Sequence, residues 1–210
     1  MSSAYPGTGH AHDRPDVSVR PALPEDAATL GDVHARTLRA TLAAGVGHDL
    51  GDAVARAIDA VALAEQWSAA ITAPPSPRHR VLTALDGARV VGFAAFAPAE
   101  VPVDVRGDGG EGPGGGADAS REPEPGDVAE ILALEVPAAE GRRGHGSRLL
   151  AACADLLRQQ GTGRVQAWVV QADEARTRFL AQAGFAPAGL RRTLDVAGEE
   201  VAEVCWYADL

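Results

Sequence analysis

The chain is short of cysteine, of basic charge and of long apolar runs, and each shortage excludes a class of protein. Its two cysteines, Cys153 and Cys205, stand far apart in no CxxC or Cys/His ligand spacing. They point to neither a disulfide framework nor a zinc site and read as small buried apolar residues, so no metal is expected. No apolar run nears the ~20 residues that span a bilayer, and Met1 to Asp16 lacks the basic-then-apolar order of a signal peptide. The expectation is a soluble, cytoplasmic protein without a membrane partner. The net charge is −10, and no basic and aromatic stripe is present, which argues against a nucleic-acid partner and mildly favours cationic small molecules or peptides. Between Glu100 and Asp127 eight acids stand against Arg106 and Arg121, so six of those ten negative charges are local.

What remains is an ordinary globular composition: 210 residues, 46% hydrophobic, enough for one domain with a real core. Residues 1–16 are polar and turn-rich and read as a disordered tail before a single domain over 17–210. Val17 to Pro21 alternates like a strand, and Pro24-Glu25-Asp26 opens a helix carrying Leu30, Val33, Thr37, Leu38 and Thr41. A second helical pattern runs from Leu50 through Val54, Ile58, Val61 and Trp67 to Ile71, where Pro74, Pro75 and Pro77 stop it. Arg80 to Leu85 and Arg89 to Phe96 read as antiparallel strands turning at Asp86-Gly87. The Gly-, Pro- and acid-rich stretch over about 98–126 buries too little apolar surface to order itself and reads as a mobile insertion. A strand follows over Asp127 to Val136, then a glycine turn, a helix from Gly144 to Gln160 and a strand from Arg164 to Val170. Asp173 to Ala183 reads as a short helix, and Gly189 to Asp195 with Glu200 to Ala208 as a hairpin turning at Ala197-Gly198.

The segment GRRGHGSRLL places Gly144 and Gly146 between a strand end and a helix start, where unpaired N–H groups form an anion cradle. Glycine lets a diphosphate approach the backbone, Ser147 adds a hydroxyl, and Arg142, Arg143 and Arg148 add positive charge. The pattern is neither GxxxxGK[ST], because no lysine follows Gly146, nor GxGxxG, because Leu149 takes the third glycine position. Taken alone, such a GxG is most often only a tight turn.

In its wider setting the segment resembles the acyl-CoA loop of the GCN5-related N-acetyltransferase (GNAT) superfamily, [RQ]-x-x-G-x-[GA], whose first glycine lies eight positions after an apolar strand end, as Gly144 lies after Val136. The first motif position here is Gly141, with the arginines displaced to Arg142 and Arg143. A second stretch, DEARTRFLAQAGF, is similar to the family's N-x-x-A-x-x-F-Y-x-x-x-G-F at Phe179, Gly184 and Phe185, with the alanine offset to Ala175. The resemblance implies an α+β, three-layer fold with a mixed, mostly antiparallel sheet flanked by helices in the order βααββ-βαβαββ. It also implies an acyl-CoA-dependent N-acyltransferase using acetyl-CoA as cosubstrate, a small-molecule or peptide amine as acceptor, and a homodimer as one possible assembly.

Acyl transfer to an amine needs a proton acceptor, a donor for the developing oxyanion and a proton for the leaving thiolate. Glu130, six residues ahead of Val136, holds the position of the family's glutamate base, and its apolar surroundings AEILAL are expected to bury it. Glu135 is the rival, provided the strand bulges near it. The resemblance implies that the Val136 N–H polarises the thioester carbonyl and that the Leu134 and Val136 backbone pairs with the pantetheine arm. Leu180 stands where the family places its proton-donating tyrosine, leaving water, Ser147 or Tyr207 as substitutes. Asp173 reads as a helix cap with a secondary cofactor contact, Phe179 as a motif residue at the cofactor, and His145 as lying within the cradle. Trp67 is a core residue or a wall of the acceptor pocket. Two further readings stay open: a non-catalytic acyl-CoA-binding regulatory module, motivated by Leu180, and a transferase for a larger acyl group.

Overall fold

The computed structural model describes residues 17–100 and 127–210; the N-terminal tail and most of the insertion lie outside them. Seven strands form one sheet: β1 (Val17–Pro21), β2 (Arg80–Asp86), β3 (Arg89–Pro98), β4 (Val128–Glu135), β5 (Arg164–Val170), β6 (Ala186–Val196) and β7 (Glu199–Asp209). Their spatial order is β1-β2-β3-β4-β5-β7-β6. Every pairing is antiparallel except β4 with β5. Among the described residues five helices flank it: α1 (Ala27–Val46), α2 (Asp52–Ala57), α3 (Ala60–Thr72), α4 (His145–Gln159) and α5 (Glu174–Gln182). This is the mostly antiparallel, helix-flanked sheet the resemblance implies.

Each face of the sheet carries its own core, as alternation along a strand requires. On one face Ile131, Val165, Ala167 and Val169 pack with Leu149, Leu150, Cys153 and Leu157 of α4 and Leu180 of α5. On the other, Leu30 and Val33 of α1 pack with Phe93, Ala95 and Ala133, and Trp67 and Ile71 of α3 lie against them. Helix α1 lies directly on α3: a β-carbon at Gly31 would stand 2.4 Å from the Ala60 carbonyl oxygen, a contact only glycine permits. No helix among the described residues is long and apolar enough to cross a membrane.

Several boundaries differ from the sequence reading, each for a local reason. The second helical pattern is two helices, because Asp59 leaves the helical conformation and its carboxylate accepts from Val61 N–H at 2.9 Å, capping α3. Arg39 meanwhile donates to the Ala55 and Ile58 carbonyls at the end of α2. The first helix opens as a 3-10 turn over Pro24–Asp26, and Asp26 does more than face the dipole. Its buried carboxylate takes Arg20 Nη1 at 2.6 Å and Leu23 N–H at 2.7 Å. Burial alone would raise that carboxyl, but these partners hold it below the usual carboxylate range. The β2–β3 turn sits one residue later than read, at Gly87-Ala88, since Asp86 still pairs with Arg89. Strand β3 runs to Pro98, and Ala99 N–H still bonds to the Val128 carbonyl, so the hairpin ladder reaches into the stretch read as insertion.

Candidate active site

A slot opens in the middle of the sheet. The β4–β5 ladder pairs only Val128↔Arg164 to Ile131↔Ala167, although β4 continues to Glu135 and β5 to Val170. Beyond that point β4 stays with β3 and β5 with β7, so the strands part. The cause is a bulge in β4: Phe96 pairs with Ile131 and Ala95 with Ala133, leaving Leu132 unpaired and 58% exposed in a central strand. The bulge thus lies three residues before Glu135, and it sets the slot rather than re-aiming that side chain. Past it, the Val136 N–H bonds to no described residue.

At the end of the slot the chain makes a 3-10 turn over Ala138–Glu140 and enters α4 through Gly144, whose φ of 81° lies in the left-handed region that glycine tolerates. The first helical bond is Arg148 N–H to the Gly144 carbonyl, and the N–H groups of Gly144, His145, Gly146 and Ser147 bond to no described residue. Four consecutive unbonded N–H groups at a helix start are the arrangement that can receive an anion. Its cationic supply is narrower than the sequence suggests. Arg143 is engaged by Glu140 at 3.2 Å and Asp86 at 3.4 Å, in a network that Arg89 shares. Arg148 Nη1 donates to the Arg143 carbonyl at 3.2 Å. Arg142, at a φ of 60°, makes no ion pair with a described residue. A groove of about 450 Å³ continues from Ser147 and Phe179 between α4 and α5, floored by Ile131, Leu150 and Val165. The Phe179 ring lies 3.6 Å from where a Gly146 β-carbon would stand, so a side chain at 146 would fill the gap that the groove enters. The cradle, the groove and the slot are the features a diphosphate with a long arm requires.

His145 takes a different place from the one its position suggests. The residue is 1% exposed, and neither ring nitrogen has a hydrogen-bond partner among the described residues, so only its backbone faces the cradle. Burial pushes the imidazole below the ordinary histidine value of 6.5. The unfolded chain therefore binds this proton at a higher pH than the folded one, and stability is complete above 6.5 and falls as pH drops below it. His34, also lowered by burial, acts in the same direction. His48, raised by the Asp49 carbonyl and Glu199, acts oppositely, so the test is a difference: we expect the melting temperature of His145→Leu to change between pH 7.5 and 5.5 by less in the destabilising direction than that of the wild type, as thermal unfolding at the two pH values would read. An unchanged pH response in the variant contradicts the assignment.

On the α1 face of the sheet the slot is lined by paired charges. The Glu135 side chain, 8% exposed, takes Arg176 Nη2 at 2.9 Å. The same nitrogen donates to the Leu134 carbonyl at 3.2 Å, so Arg176 ties α5 to β4 across the parted strands. Burial would raise the Glu135 carboxyl, but Arg176 and Thr37 hold it below the usual range. A carboxylate so stabilised is a poor proton acceptor, and this disfavours Glu135 as the base. Glu130 sits where the ladder is still closed. It is half-buried rather than sealed in apolar surroundings, and its carboxylate accepts from Gln166 Nε2 at 2.8 Å. Gln166 pairs in turn with Tyr207, which places Glu130, Gln166 and Tyr207 in one row across three strands. Leu180 is 2% exposed in the α4-side core. Asp173 caps α5, accepting from Arg176 N–H at 3.0 Å. Trp67 packs on Phe93 and donates to His34 Nδ1 at 3.2 Å. Arg176 and His34 were invisible as site residues in the sequence, since both act through contacts distant in the chain.

Comparison with known proteins agrees with this fold. Residues 54–185 match the model of the acetyltransferase (GNAT) family; no curated protein matches the chain. Among solved structures, the ribosomal-protein-alanine N-acetyltransferase of Brucella melitensis is 18% identical, with 92% of this chain and 99% of that one covered at a TM-score of 0.63. The PaiA N-acetyltransferase of Thermoplasma acidophilum, in complex with coenzyme A, is 14% identical over 93% and 99% at 0.60. The yncA protein of Salmonella typhimurium, with its cofactor acetyl-CoA, is 18% identical over 92% and 94% at 0.58. At these identities the structures speak for the fold, and the family match, which spans more than half the chain, speaks for descent. The chain belongs to the GNAT acetyltransferase family.

Proposed function

We propose that this protein transfers an acetyl group from acetyl-CoA to a primary amine of a small molecule or a peptide N-terminus. The observation that carries the reading is two sets of unbonded backbone donors along one slot: Val136 N–H just past the end of β4, and the Gly144 to Ser147 N–H groups at the head of α4. Two structures of the same fold hold coenzyme A or acetyl-CoA, which supports the same cosubstrate here. Acetyl-CoA supplies the activated thioester. The cradle, with Arg142 and Arg148, holds the diphosphate; Arg143 helps by fixing the loop. The Leu134 and Val136 backbone lines the arm, Phe179 and the Asp173-capped start of α5 bound its passage, and Val136 N–H polarises the carbonyl. Glu130 accepts the amine proton through water, and Glu135 keeps Arg176 in place.

Glu130→Gln preserves the bond to Gln166 in shape while removing the base, so kcat is expected to fall on the order of 10²-fold with acetyl-CoA affinity unchanged. A kcat within two-fold of the wild type would remove Glu130 from the mechanism. One observation favours a second reading, a non-catalytic acyl-CoA-binding module: Leu180 is packed into the core and offers no proton to a thiolate. A free thiol with a pKa of about 8.5 leaves without full protonation, so this loss alone does not prevent turnover. Thiol release over a panel of amines decides between the readings. The chain contains no lysine, so release cannot arise from its own side-chain amines. Release that depends on an added amine supports the transferase; acetyl-CoA binding without release on any amine favours the module.

A further inference from the structure

The α1 face of the slot carries an arrangement that the steps above do not use. Arg192 of β6 lies over the Trp168 ring of β5, its guanidinium carbon 4.5 Å from the ring centroid. Its Nε donates to Glu203 Oε2 at 2.6 Å. The Glu203 side chain is 11% exposed and that of Arg192 47%. The ring fixes the guanidinium plane and the buried carboxylate takes one edge, while Nη1 and Nη2 bond to no described residue. A guanidinium so held is a pre-organised fork for a planar oxyanion, because little ordering remains to be done on binding.

Its position adjoins the reaction path. Trp168 is the first β5 residue after the last ladder pair, Ile131↔Ala167, so the stack stands on the β5 wall of the slot. Arg192 pairs with Glu203 and Glu203 with Val170; from β6 the arginine leans across β7 to reach Trp168. On the opposite wall Glu135 and Arg176 neutralise one another, which leaves Glu130, bonded to the neutral Gln166, as the carboxylate of β4 that Arg192 must offset for an incoming anion. β7 separates β6 from β5, two strand steps of ~4.8 Å, and the Arg192 side chain spans that gap to reach the Trp168 ring on β5. A small acceptor whose amine enters the slot beside Trp168 would bring its own anionic group to Arg192.

We propose that Arg192, oriented by Glu203 and Trp168, determines acceptor specificity by binding the carboxylate of a small amino acid whose amine is acetylated. This rests on the transferase reading and narrows its acceptor. The test is thiol release with a series of L-amino acids and their carboxamides, on the wild type, on Arg192→Lys and on the double variant Arg192→Gln, Glu203→Gln, with acetyl-CoA affinity measured on each by calorimetry. The double variant avoids leaving Glu203 buried without a partner. In the wild type, kcat/KM for the acids should exceed that for the carboxamides by about ten-fold or more. Arg192→Lys keeps the charge but not the fork or the stack, and should lose most of that preference through acceptor KM. The double variant should lose all of it, with acetyl-CoA affinity unchanged. Equal use of acids and carboxamides by the wild type overturns the proposal, as does a preference that survives in the double variant. Acetyl-CoA binding with no transfer to any amino acid overturns it too, whereas absence of acetyl-CoA binding removes the transferase reading and this one with it.

Discussion

Gly144→Glu is expected to weaken acetyl-CoA binding by at least about 100-fold, the equivalent of roughly 2.7 kcal/mol. Three effects add. Gly144 holds a φ of 81°, and any other L-residue there costs about 1–2 kcal/mol of strain, relieved by turning the N–H groups away from the cradle. A β-carbon would also meet Arg148 Nη1 at 2.5 Å; that flexible end can move, but doing so releases its bond to the Arg143 carbonyl. Finally, a carboxylate placed among unbonded N–H groups competes for the diphosphate's donors and repels it, and each charge-assisted bond lost is worth about 1.5–3 kcal/mol. Gly144→Ala carries the strain and the Arg148 contact without the added carboxylate, and should cost only about ten-fold. The rise in melting temperature with added acetyl-CoA reads both. An equal rise in the wild type and in Gly144→Glu would place the phosphates elsewhere.

Glu135→Ala should be the most destabilising single change at the site, by about 3 kcal/mol, because it leaves the largely buried Arg176 cation with only its longer ion pair to Asp173, at 3.8 Å. The pair is linked to pH as well. With the Glu135 carboxyl held below its ordinary value of 4.5, its contribution is complete above that value and is lost as pH falls toward the folded pKa. Replacing both partners, Glu135→Gln with Arg176→Met, removes the charge instead of orphaning it and should recover much of the loss. Urea unfolding of the two variants measures this directly. A loss below about 1 kcal/mol for Glu135→Ala is the range of an exposed pair and would mean that Arg176 does not clamp β4 to α5.

The parts of this molecule legible in the sequence are those settled within a few neighbouring residues. β5 was read at its observed bounds, Arg164–Val170, and α4 to within one residue, because each is an apolar pattern between glycine-containing turns. The closing turn at Ala197-Gly198 was read from its glycine, and both residues do hold positive φ, 54° and 90°. Asp173 was read as a cap and caps α5. The glycine turn into α4 was legible for the same reason, since Gly144 holds the positive φ that its residue type signals. The Leu132 bulge was not, because a bulge is a relation between two strands and Leu132 continues the apolar run of β4. Arg176 reaches a carboxylate 41 residues back in the chain, and Arg192 is fixed by residues of two other strands. No periodicity carries such contacts. The second helical pattern failed for the opposite reason: its apolar spacing persists through Ile58 and Asp59, and one capping carboxylate outweighs it.

The central claim is that the slot and cradle together bind acetyl-CoA, and calorimetric titration of acetyl-CoA into the wild-type protein tests it most directly. The account predicts saturable binding at one site per chain, retained by Glu130→Gln and lost by Gly144→Glu. No saturable heat from the wild-type protein would contradict it and leave only the family and the fold.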